Sequence, residues 1–99
     1  MGKLVRDRIP QIIRENGNTP IINVLSDDDY LLELDKKLNE EISEYQADKS
    51  LEELADVMEV IYAICNARGY SIEELLALKE KKRISRGGFE KKIYWEGNI

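Results

Sequence analysis

Apolar residues recur at helical spacing through most of the chain, and the pattern divides it into three long amphipathic stretches. Leu31, Leu34, Leu38, Ile42 and Tyr45 step three or four residues at a time and form one stripe. Ser26 precedes that stripe and three aspartates follow it directly, a side-chain cap with favourable charge in the first turn. The spacing predicts a helix from there to about Ala47, then a turn at Asp48-Lys49-Ser50. The stretch from Ser50 is apolar over most of its circumference, through Leu51, Leu54, Val57, Met58, Val60, Ile61, Ile64 and Cys65, as in a helix covered on several sides. Gly69 ends it. Ser71-Ile-Glu-Glu74 is a capping box that opens a third long helix, whose apolar part fades after Leu78.

Shorter elements flank these. Pro10, the apolar pair Ile12 and Ile13, and Gly17 predict a short helix from Ile9 to Glu15. Thr19 to Leu25 is rich in β-branched residues and reads as a short strand. The tail, Lys92-Ile-Tyr-Trp-Glu96, reads as extended and as a pairing partner for the segment near Ile21. The expected fold is a mainly all-α bundle, one domain over residues 1–99, with short extended segments near residues 20–25 and 92–95.

Composition narrows the functions. A chain of 99 residues builds one modest core, and 42% hydrophobic with 35% charged content is that of a globular helical protein. A net charge of −5 argues against nonspecific nucleic-acid binding. No apolar run is long enough for a membrane span, and no signal peptide is recognised. Cys65 is the single cysteine, which excludes an internal disulfide and predicts a buried thiol on an apolar face. Cytoplasm is the expected compartment.

The chemistry lies in carboxylates. Glu41 falls at the edge of the Leu38–Ile42–Tyr45 stripe, with Glu44 three residues on, whereas Glu40 points nearly opposite. On the next helix Glu53 lines up with Val60 and Ile64, and Asp56 sits beside them. Glu52 and Glu59 fall on the polar side. A buried carboxylate needs a partner, and no cation stands in register on these faces. Glu41, Glu44, Glu53 and Asp56, all oxygen donors, point to a hard cation, Mg²⁺ or Mn²⁺. Two other readings stand beside this one: a solvated Glu-rich surface, and Glu53 as the third position of a capping box with Ser50.

A basic stripe follows. Lys79, Lys82, Arg83 and Arg86 share one face at the end of the third long helix, beside Gly87-Gly88-Phe89. They suit either a polyphosphate or simply the negative end of the helix dipole.

Through these motifs the chain resembles the all-α nucleotide pyrophosphohydrolases, a superfamily with MazG-like enzymes, dimeric dUTPases and phosphoribosyl-ATP pyrophosphohydrolase. The resemblance rests on Glu40-Glu41-x-x-Glu44, Glu53-x-x-Asp56, the opening Lys3-Leu-Val-Arg-Asp-Arg-Ile-Pro10 and Arg86-Gly-Gly-Phe89. The two flanking motifs are similar to a small MazG-like branch. The resemblance implies an oligomeric helical fold, Mg²⁺ on Glu41, Glu44, Glu53 and Asp56, and hydrolysis between α- and β-phosphates. The chain departs from the pattern in its short gap between acidic motifs, which leaves little room for a base-recognition insert. It also lacks histidine, so general-base work falls to a carboxylate or to metal-bound water.

The expected function is therefore a Mg²⁺-dependent nucleoside triphosphate pyrophosphohydrolase that releases the monophosphate and pyrophosphate. Lys79, Lys82 and Arg86 hold the leaving pyrophosphate in this reading, with Lys3 and Arg6 as auxiliaries from the same or a neighbouring chain. Alternatives are a phosphoribosyl-nucleotide substrate or a non-catalytic nucleotide sensor. The chain is expected to form a homodimer or higher oligomer, because two other long helices with one apolar stripe each cannot cover Val57, Val60 and Ile64 on every side. Neither nucleic acid nor membrane is an expected partner.

Overall fold

The computed structural model describes residues 2–99 and is all-helical: α1 (Ile9–Glu15), α2 (Asp27–Asp48), α3 (Leu51–Ala67) and α4 (Ile72–Arg86). Each long helix starts at a serine whose hydroxyl accepts a backbone N–H: Ser26 from Asp29, Ser50 from Glu53 and Ser71 from Glu74. Caps of this kind satisfy donors that the first turn leaves free, each worth about 1 kcal/mol. Lys49 takes the left-handed conformation, φ 58°, and its N–H donates to Tyr45 O to close α2. Gly69 does the same service after α3, at φ +85°.

A connector of two residues, Lys49 and Ser50, forces α2 and α3 into an antiparallel hairpin, and this pair carries the main packing of the chain. Leu34 (2% exposed), Val60 and Cys65 are its buried apolar residues. The far end is tied by Arg68 to Asp35 at 3.5 Å. Packing from α4 reaches α3 alone, with no contact to α2. The whole is elongated, 61 × 31 × 23 Å, and its radius of gyration of 17.8 Å exceeds the ~13 Å of a compact chain of this length.

No strand forms among the described residues. Residues 18–26 are irregular, with Ile21 and Val24 fully exposed, and no backbone hydrogen bond joins them to the exposed tail at Ile93, Tyr94 and Trp95. The expected pairing near Ile21 is thus corrected. β-propensity expresses itself only against a covered sheet surface, and nothing covers these side chains here. No helix among the described residues is long and apolar enough to cross a membrane.

Candidate metal centre

Carboxylates from α2 and α3 converge where the two helices face each other. Glu41, Glu53 and Asp56 offer oxygens that all lie within 4.8 Å of one another. Glu40, Glu41 and Glu44 meet the same limit, so Glu41 belongs to both groups. The local cause is helical geometry, since residues three apart share a face and Glu41/Glu44 and Glu53/Asp56 each project together. The antiparallel register then sets the two pairs against each other.

Glu41 is the buried member, 7% exposed. Lys37 Nζ pairs with its Oε1 at 3.2 Å, and its Oε2 is buried with no hydrogen-bond partner. Glu53 Oε2 is orphaned in the same way. The Ser50 hydroxyl does accept Glu53 N–H at 3.3 Å, but only the Ser71–Glu74 cap is reciprocal, so the Glu53 carboxylate is not spent on a capping box. Orphaned buried oxygens are rare in native proteins because each forfeits its hydration for nothing. Two in one cluster of oxygen donors fit a hard divalent cation.

The electrostatics follow. Burial pushes the Glu41 carboxyl above the usual glutamate range, with Lys37 opposing and the adjacent Glu44 carboxyl reinforcing the rise. Glu53 is also raised, by desolvation and then by the negative charges of Asp56, Asp48 and Glu41. Glu40 goes the other way: burial raises it, but hydrogen bonds and charge from Lys37 and Lys3 outweigh burial and hold it low.

Two expectations need correction here. Cations do stand in register with the acidic face. Lys37, one helical turn before, pairs with both Glu40 (3.2 Å) and Glu41, while Arg6 Nη2 donates to Asp56 Oδ1 at 2.7 Å. Glu40 does not project away into solvent; it is half-buried, with Lys3 Nζ at 3.3 Å. Lys37 and Glu40 are the residues that sequence reading missed. Their i, i+3 and i, i+4 spacing was the available signal.

All four expected ligands gather around Glu41, with Glu44 the exposed one. The expected phosphate ligands lie elsewhere. Lys79, Lys82 and Arg86 are exposed on the far half of α4, none in an ion pair with the cluster, and Arg83 pairs instead with Glu90. The cations beside the carboxylates are Lys3, Arg6 and Lys37.

Comparison with known proteins adds little. No family model matches the chain. A Mycolicibacterium smegmatis protein described as uncharacterized is 57% identical over 47 residues, 48% of this chain and 48% of its own length. The match therefore spans about half of that relative. No solved structure matches.

Proposed function

We propose that the protein is a Mg²⁺-dependent nucleoside triphosphate pyrophosphohydrolase, acting between the α- and β-phosphates to give a nucleoside monophosphate and pyrophosphate. One observation carries the reading: two buried carboxylate oxygens, on Glu41 and Glu53, lack any partner inside a cluster of oxygen donors. Five carboxylates there face three paired cations, which leaves an excess of two negative charges when all are ionised. Glu41, Glu44, Glu53 and Asp56 would hold the metal, Mn²⁺ being an acceptable substitute. When bound, the ion neutralises phosphate charge and makes water a better nucleophile. With no histidine in the chain, an acidic side chain of the cluster is left to take the proton of the attacking water. Lys3 and Arg6, paired with Glu40 and Asp56, would be the auxiliary cations for a phosphate chain in this reading. Lys79, Lys82 and Arg86, none of them ion-paired with the cluster, would hold the leaving pyrophosphate from α4 of the same or a second copy. We place this activity in the cytoplasm, on nucleotides and not on nucleic acid.

The test is pyrophosphate release across ribo-, deoxy- and modified nucleoside triphosphates with Mg²⁺, and with phosphoribosyl-ATP for the related substrate class. Asp56→Asn and Glu44→Gln should each lower turnover by more than about 100-fold while the protein stays folded. A second reading, a non-catalytic nucleotide-binding module, draws on the cations that already neutralise Glu40, Glu41 and Asp56. Nucleotide binding without pyrophosphate release from any substrate would decide for it.

The proposed unit is a homodimer or larger. Accessible surface is 8992 Å², against about 5,800 Å² for a folded monomer of this mass. Val60 is covered within one chain, so the face needing a partner is the stripe of Leu51 (82% exposed), Leu54 and Met58 (51%). Sedimentation at micromolar concentration should show an oligomer that Met58→Glu dissociates; a wild-type monomer would refute it.

A further inference from the structure

The N-terminal segment and the α2/α3 hairpin border an open groove of ≈ 690 Å³. Tyr30, Leu34, Val60 and Ala63 of the hairpin line it together with Arg6 and Arg8 of the N-terminal segment, and Glu41 and Asp56 also border it. Asp56 has two claims on it here. Its carboxylate is grouped with those of Glu41 and Glu53, and its Oδ1 accepts the Arg6 guanidinium at 2.7 Å. A guanidinium on Oδ1 offsets the negative charge that a divalent cation would draw on at Asp56, so the two cations compete for one carboxylate. Arg6 is half-exposed and Asp56 somewhat less so, and an ion pair in that setting is weakly held. Residues 3–5 make no helical or strand hydrogen bonds, the Arg6 carbonyl accepts Ile9 N–H at 3.0 Å, and the ion pairs of the segment are those of the Lys3 and Arg6 side chains. The Glu41 carboxylate, nine-tenths buried with an unpartnered oxygen, marks the centre as short of a cation even with Arg6 in place.

Resting on the metal reading above, we infer that Arg6 is an exchangeable counter-ion: it holds Asp56 in the metal-free protein, yields that carboxylate to the metal, and turns to a substrate phosphate over the same groove. A planar guanidinium matches two phosphate oxygens at once, and Lys3 and Arg8 on the same segment add charge of the right sign. Metal loading and phosphate capture are then linked through one side chain, and Arg6 serves as a substrate-positioning residue.

Calorimetry of the full chain with Mn²⁺ alone, then with inorganic tripolyphosphate at saturating Mn²⁺, tests both halves. Arg6→Gln should bind Mn²⁺ about fivefold more tightly than wild type, because the competitor is gone. It should bind tripolyphosphate about tenfold more weakly, through loss of a charge-assisted hydrogen bond. Opposite signs for two ligands are not what a structural role produces, since damage to the fold weakens both. Mn²⁺ affinity equal to or below wild type overturns the exchange and leaves the metal centre standing. Unchanged tripolyphosphate affinity overturns the phosphate role. Failure of wild type to bind Mn²⁺ overturns the metal centre, and the exchange with it.

Discussion

Lys3, Arg6 and Lys37 in one region, and Lys79, Lys82 and Arg86 in another, are equally basic as letters, and their surroundings differ completely. The first three end on carboxylates of α2 and α3 at 3.3 Å or less. The second three project from the exposed half of a helix that packs on α3 alone. Periodicity made the α4 set conspicuous, because four cations on one face form a readable stripe. Arg6 gave no such signal, since its partner is fifty positions away. A cation's role depends on what the fold carries to it, and a two-residue turn between α2 and α3 decides that here.

Substitutions can sharpen the contrast. The largest effect on stability is expected at Lys37, which is mostly buried and serves two glutamates. Lys37→Met should leave Glu40 and Glu41 without their shared cation and cost about 2 kcal/mol, less than a fully buried pair because Lys3 still reaches Glu40. Urea denaturation of the metal-free protein measures it, and a loss under half that size would mean the network is slack.

A smaller, signed effect should appear with pH. Glu41 and Glu53 titrate above the ordinary value of 4.5 in the folded protein, so they contribute stability that is full below 4.5 and lost as pH rises through their folded values. Glu40 titrates below 4.5, so its contribution is present above 4.5 and lost as pH falls through its folded value. The metal-free protein should therefore gain melting temperature from pH 7 down toward 4.5 and lose it beyond. The gain should vanish in a Glu41→Gln, Glu53→Gln double variant. An identical gain in that variant would assign it to other groups.

The smallest effect belongs to α4. Lys82→Ala with Arg86→Ala should change stability by less than about 0.5 kcal/mol, as exposed positions do. If the same pair leaves kcat/KM for a triphosphate unaltered, the α4 stripe is a solvated helix end. A fall in kcat/KM would mean that the α4 stripe, from the same or another chain, meets the substrate.

Much of this was decided locally. The helix starts at Ser26, Ser50 and Ser71, the turn at Lys49 and the all-α class follow from caps and periodicity, which act within one helical turn and so are written in neighbouring residues. The i, i+3 spacing of Glu41 with Glu44 and of Glu53 with Asp56 likewise fixed which carboxylates share a face. What only the tertiary structure decided depends on distant partners. The β-branched run at 19–25 stayed irregular because no sheet surface met it. Val60 is covered within the chain, while Leu51 and Met58, as apolar as it is, are not. Arg6 meets Asp56, and Glu40 turns toward Lys3, because the N-terminal segment lies along the α2/α3 hairpin. Burial and charge pairing are sums over neighbours in space, and no window along the chain contains those neighbours.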